Sequence, residues 1–96
     1  MLVHTIVSMV CEEGYAPEVA GFWQFSGKSG KRQAEKQFKR IAAKILECET
    51  DKQGRLDMAD HEAVEEAWMS GECKSDYCAE RFWKNVQYFK QTCRGK

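Results

Sequence analysis

Apolar and polar positions alternate along the first ten residues of the chain. One side of an extended segment carries Val3, Thr5, Val7, Met9 and Cys11. Alternation of this kind, with many β-branched residues, predicts a β-strand over 3–10. Residues 21–25 read Gly-Phe-Trp-Gln-Phe and indicate a second short strand, and a loop with the only proline separates the two. We therefore expect an antiparallel hairpin.

A helical period replaces the alternation after the glycine-rich stretch 26–30. Ser29 is a suitable N-cap, and the helix is expected to run from Lys31 to about Cys48. Its apolar stripe consists of Ala34, Phe38, Ile41, Ala42 and Ile45. Because these positions recur every three or four residues, they predict one face that packs against the rest of the protein.

Two shorter helices are predicted in the second half of the chain. Asp57 is a suitable N-cap for the first, which should end near Gly71. Its expected buried face is Met58, His61, Val64 and Trp68. The second should run from about Cys78 to Cys93, with a stripe of Cys78, Phe82, Val86, Phe89 and Cys93.

Together these elements predict a single α+β domain over residues 1–96. It should consist of an N-terminal two-stranded antiparallel hairpin, followed by one long basic helix and two shorter helices. The length of the chain is that of one small domain.

Charge is strongly segregated although the net charge is zero. Residues 27–44 hold seven basic residues and one acidic residue, whereas residues 45–80 hold eleven acidic and three basic residues. A polarised surface of this kind predicts contact with a macromolecular partner, and solvated helix faces are the alternative. The expected contact residues are basic on one side and acidic on the other: Lys28, Lys31, Arg32, Lys36, Lys39 and Arg40, and Glu62, Glu65 and Glu66.

The basic side suits either an acidic protein or the phosphates of a nucleic acid. In the second case Trp23 and Phe25, on the neighbouring strand, are the residues that would stack on bases.

The segment 49–60 joins the basic helix to the acidic one and carries oxygen ligands at regular intervals. As a twelve-residue loop it has side-chain oxygens at positions 1, 3, 5, 9 and 12, glycine at position 6 and a backbone carbonyl at position 7. This resembles a single EF-hand over about residues 35–68. The resemblance implies calcium or magnesium binding by Glu49, Asp51, Gln53, Arg55, Asp57 and Asp60. The alternative is a Gln-Gly turn followed by a helix that Asp57 caps.

Five cysteines, an odd number, and the lack of a secretory signal favour reduced thiols and a cytoplasmic protein. Cys73, Cys78 and Cys93, with Cys48 or His61, could ligate zinc if they converged, and core packing is the alternative. No apolar run is long enough to cross a membrane. Neither histidine belongs to a motif for nucleophilic catalysis, so we do not expect an enzyme.

In layout, the hairpin, the glycine-rich turn and the basic helix of residues 2–46 resemble small phage-encoded inhibitor proteins, anti-CRISPR proteins among them. The resemblance implies a non-catalytic protein that binds a protein or a protein–nucleic acid complex and inhibits or modulates it. The two Phe-Trp pairs, at 22–23 and 82–83, further suggest a homodimer.

Overall fold

The part of the chain that the structure describes forms an antiparallel sheet and two helices. A computed structural model describes residues 2–12, 15–74 and 83–92. Within these residues the elements follow one another as β1 (Leu2–Cys11), β2 (Glu18–Ser26), α1 (Gly30–Ile45), α2 (Met58–Ser70), β3 (Glu72–Lys74) and β4 (Trp83–Thr92). The predicted α+β class is confirmed, and the described residues contain two helices in place of the expected three.

The four strands form one sheet in the order β2-β1-β4-β3, and every neighbouring pair is antiparallel. The predicted hairpin of β1 and β2 is confirmed, with Ile6 opposite Trp23. On its other edge β1 pairs with β4 along its whole length. Because β1 has a partner on each side, its backbone N–H and carbonyl groups are satisfied within the sheet.

Helix α1 confirms the long basic helix, but it begins one residue earlier than expected and ends about three residues earlier, at Ile45. Of its predicted stripe, Ala34, Phe38, Ala42 and Ile45 are buried and Ile41 packs against the same core. At the start of the helix, a Cβ on Gly30 would lie 3.1 Å from the His4 ring and 3.3 Å from the backbone of Phe25. A residue without a side chain therefore allows α1 to approach the sheet closely.

The core lies between α1 and the two central strands. Phe38 of α1, Ile6 of β1 and Val86 of β4 are its largest fully buried side chains. The ring of Trp68 packs edge-on against Phe38 at 5.4 Å between centroids and lies 4.5 Å from the ring of Tyr88. These aromatic contacts fasten the end of α2 to both α1 and the sheet.

The predicted buried face of α2 is only half right. Asp57 caps the helix and Gly71 ends it, as expected. Val64 is buried and Trp68 packs against the core, but Met58 is 79% exposed and His61 is exposed. The reason is that α2 contacts the core with its second half, through Val64 and Trp68, while its first turn projects beyond it.

The predicted third helix is wrong over residues 83–92, which form β4. Its remaining stripe positions, Cys78, Phe82 and Cys93, lie outside the described residues. Residues 83–92 form a strand despite their helical spacing because they pair with the second edge of β1, whose backbone groups need hydrogen-bonding partners. In the strand, Val86 and Tyr88 alternate onto the helix-covered face. The β-favouring side chains of Val86, Tyr88, Phe89 and Thr92 were the sequence signal for this strand.

Neither helix in the described part of the chain is long and apolar enough to cross a membrane.

Replacing Phe38 with alanine should be among the most damaging substitutions in the protein. We expect a loss of about 3–5 kcal/mol in the free energy of unfolding, because the change leaves a cavity between α1 and the central strands. Urea unfolding followed by circular dichroism measures this. Met69→Ala on the exposed side of α2 is the control and should change stability by about 0.5 kcal/mol or less. Equal losses for the two variants would contradict this location of the core.

Candidate functional site

A row of three cations runs along the exposed side of α1. Lys36, Arg40 and Lys44 are exposed and lie four residues apart, so that each stands one turn beyond the last. The row spans about 12 Å at the helical rise. Within the described residues, none of the three forms an ion pair. The other expected contact residues, Lys28, Lys31 and Arg32, are exposed around the start of the helix.

Lys39 is on the same helix but is engaged within the protein. Its ammonium group donates to the carboxylates of Glu35, at 2.9 Å, and Glu65 of α2. Burial works to lower the pKa of Lys39, but hydrogen bonds to Glu65 and Glu35 outweigh it and raise the pKa. The hydrogen bond from Lys39 lowers the pKa of Glu65. Two residues expected to contact a partner thus bind each other and join α1 to α2.

The three predicted acidic contact residues therefore differ in whether a partner could reach them. Glu65 turns towards α1, whereas Glu62 and Glu66 are exposed. Residues 62 and 66 are one turn apart on α2 and remain accessible to a partner.

A cleft of about 450 Å³ opens between α1, the connection 46–57 and α2. We call it the α1–α2 cleft. Its half-buried or buried apolar side chains are Ala43, Leu56 and Val64, and Cys48 lies among them. The exposed cations of the row stand at its rim, with the Lys39–Glu65 pair and His61 beside them. A concave apolar site with a few charged groups is a typical binding site for a ligand or a partner's side chain.

The segment 49–57 folds as a closed turn. An isolated bridge joins Thr50 to Leu56, and Gly54 has a φ of 79°, a conformation that favours glycine. One carboxylate oxygen of Asp51 accepts hydrogen bonds from the backbone N–H groups of Gln53 and Arg55, each at 2.9 Å. Its other oxygen accepts from Nε of Arg55 at 3.2 Å.

Three of the residues expected to bind calcium are thus occupied by bonds within the segment. Besides Asp51, the Arg55 carbonyl accepts from the backbone N–H of Asp51 at 2.9 Å. Asp57 accepts from the N–H of Asp60 at 2.8 Å and caps α2. In the described part of the chain, no three His, Cys, Asp or Glu side chains are grouped so that they could hold a metal ion. The segment has the geometry of the alternative, a turn before a capped helix.

The described cysteines are unpaired and packed to different degrees. Cys73 is buried in the core, whereas Cys11 and Cys48 are half-buried. Burial, with smaller contributions from Cys48 and Glu72, raises the pKa of Cys73 to about 11. Burial and the neighbouring Asp60 raise the pKa of Cys48. Thiols of raised pKa are poor nucleophiles and behave as small apolar residues. Cys78 and Cys93, the other expected zinc ligands, lie outside the described residues.

The aromatic residues expected to stack on bases are part of the core. Trp23 and Phe25 pack against it from β2, on the helix-covered face of the sheet. Phe22 alternates onto the opposite face and is 57% exposed, and Phe89 is there as well. The homodimer stays a prediction, with this second face as the surface that offers apolar contacts.

The two histidines have different surroundings. Nδ1 of His4 and the hydroxyl of Tyr88 form a hydrogen bond of 2.7 Å, and both rings lie under the helices. His61 is exposed on α2 and lines the α1–α2 cleft. The cleft itself was not foreseen from the sequence, because Ala43, Leu56 and Val64 come from three separate segments that only the packing of the helices brings together.

Comparisons of the chain with protein-family models, with curated proteins and with solved structures find no match. The assignment of a function therefore depends on the geometry of this chain.

Calcium at about 5 mM should leave the melting temperature unchanged, because Asp51, Arg55 and Asp57 each accept hydrogen bonds from nearby backbone N–H groups, with which a bound ion would have to compete. A site with a Kd of about 50 µM would add about 2.7 kcal/mol of stability at that concentration. Differential scanning calorimetry with calcium, and with magnesium in parallel, measures the shift. A rise of several degrees would contradict the closed turn and restore the EF-hand interpretation.

Cys73 should react slowly with iodoacetamide. In a variant with the other four cysteines changed to serine, we expect alkylation at about pH 8 to be about 100-fold slower in the native state than in urea, because the native pKa of about 11 lies two units above the ordinary 9.0. As the pH rises, the Cys73 thiol ionises in the unfolded chain before it ionises in the folded protein. Cys73 therefore lowers the free energy of unfolding as the pH rises from 9 towards 11. Equal rates in the two states would contradict burial of Cys73.

Proposed function

We propose that this protein is a small non-catalytic interaction module that binds a macromolecular partner and inhibits or modulates it. The observation that carries the proposal is the basic row of Lys36, Arg40 and Lys44, which forms no ion pair with the described residues and stands at the rim of a concave apolar cleft. A row of positive charges attracts a negatively charged surface. A cleft beside the row can bind a side chain of that surface and so fix the position of the partner.

The partner is most simply a protein, or the protein part of a protein–nucleic acid complex. Its contacting surface is acidic, because six exposed cations remain available: Lys31, Arg32, Lys36, Arg40 and Lys44 on α1, and Lys28 just before it. The exposed acidic pair Glu62 and Glu66 provides a second contact of opposite sign on α2. A surface that presents both signs selects one orientation of the partner and rejects others.

Inhibition is the part of the proposal that depends on the resemblance of residues 2–46, inferred from the sequence, to small phage-encoded inhibitor proteins. Such a protein acts by occupying a surface of its target. The rigid attachment of α1 to the sheet suits this mode, because a helix that is already ordered loses little conformational entropy when it binds.

Reversing two charges of the basic row should weaken the partner's binding. We expect Lys36→Glu with Arg40→Glu to reduce capture from a lysate at least about tenfold, measured by quantitative mass spectrometry of proteins retained on the immobilised chain. Capture by the unaltered chain should also fall as salt is raised. Addition of the protein should then change the activity of the purified partner.

The matched control reverses two exposed lysines that do not line the α1–α2 cleft, Lys52→Glu with Lys90→Glu, which changes the net charge by the same amount. Equal capture by the control and by the Lys36–Arg40 variant would show that the basic row is not the contact surface.

A further inference from the structure

The α1–α2 cleft carries an inference about the chemistry of the partner. Its three apolar members, Ala43, Leu56 and Val64, come from α1, the connection and α2 in turn. No Phe, Tyr or Trp is among the described residues that line it. An aliphatic side chain can fill such a cleft, whereas a nucleobase would find no ring on which to stack.

The charges at the rim favour a short acidic segment. Lys39 is neutralised by Glu35 and Glu65, so the attraction comes from Lys36, Arg40 and Lys44. These stand about 6 Å apart along the helix, and side chains on one side of an extended peptide recur about every 6.6 Å. Carboxylates at alternate positions of an extended segment therefore match the spacing of the row.

The surroundings disfavour a long polyanion. The connection 46–57 and α2, which form the other walls of the cleft, belong to the acidic part of the chain, residues 45–80. Asp51 and Asp57 lie in that connection, and Glu62 and Glu66 are exposed on α2. A nucleic acid extending beyond the row would meet these carboxylates, whereas a short peptide segment need not.

We propose that the α1–α2 cleft binds an extended acidic peptide segment of the partner, with one aliphatic side chain placed against Ala43, Leu56 and Val64. The carboxylates on either side of that side chain lie about 13 Å apart and pair with Lys36 and Lys44, the two ends of the row. This inference rests on the proposed function and specifies the part of the partner that the site recognises. The apolar contact supplies selectivity, and the charges supply attraction and orientation.

Fluorescence anisotropy with three labelled probes tests the proposal. The first is a peptide of roughly eleven residues with glutamate at alternate positions, serine between them and leucine in place of the central glutamate. The second has serine at that centre, and the third is a single-stranded oligonucleotide of thymidines of about the same length. The leucine peptide should bind about tenfold more tightly than the serine peptide, and the oligonucleotide more weakly than the leucine peptide.

Filling the cleft should remove the preference for leucine without altering the charges. Ala43→Met should weaken the leucine peptide to the level of the serine peptide and leave the serine peptide unchanged. Ala63→Met, the same change at an exposed position of α2 that does not line the cleft, is the matched control and should behave as the unaltered protein. Leu56→Ser is a second variant that removes an apolar wall and should also abolish the preference, so the test holds even if Ala43→Met fails to fold.

The outcomes separate this proposal from the proposed function. Equal binding of the two peptides, both lost in Lys36→Glu with Arg40→Glu, would overturn the aliphatic anchor and leave the basic contact surface intact. Tighter binding of the oligonucleotide than of the leucine peptide would overturn the peptide in favour of a nucleic acid. Failure of the leucine peptide to bind overturns the inference, and the lysate capture described above then decides separately whether α1 contacts a partner.

Discussion

The packing of the α1 stripe on the two central strands is the interaction on which the rest of the structure depends. Phe38 lies fully buried between Ile6 of β1 and Val86 of β4, two strands that are far apart in sequence. Hydrophobic burial is the main favourable contribution to folding, and this is where the chain concentrates it. Because side chains on a helix have fixed angular positions, burial of the stripe determines the direction in which all the remaining side chains of α1 point.

The functional surface is a consequence of that orientation. Burial of Ala34, Phe38, Ala42 and Ile45 forces Lys36, Arg40 and Lys44 to the outside as one row. Lys39, between the buried and exposed sides, is only partly accessible, and there it meets Glu65. The Lys39–Glu65 ion pair and the contact of Trp68 with Phe38, about one turn further along α2, together hold α2 against α1. The cleft is the space left where the two helices and the connection do not close completely.

The turn 49–57 shows how residues that suit a metal loop also close a hydrogen-bonded turn. Aspartate, glutamine and glycine suit a metal loop, but they also suit a hydrogen-bonded turn. In this chain Asp51 accepts hydrogen bonds from two backbone N–H groups and from Nε of Arg55, and these bonds close the turn. The turn then delivers Asp57 to the start of α2, and its cap sets where that helix begins.

The sequence by itself determined the elements whose signals are local. The alternation of β1, the stripe of α1, the cap at Asp57 and the end of α2 near Gly71 depend on neighbouring residues, and each was predicted from them. Only the tertiary structure decided that residues 83–92 form a strand. Their sequence has both helical spacing and β-favouring side chains, so local patterns do not choose between helix and strand. Pairing with the free edge of β1, some eighty residues away, makes them a strand. It also decided that Met58 and His61 are exposed, that Lys39 and Glu65 bind each other, and that a cleft lies beside the basic row. These properties depend on distances between separate segments, which no local pattern contains.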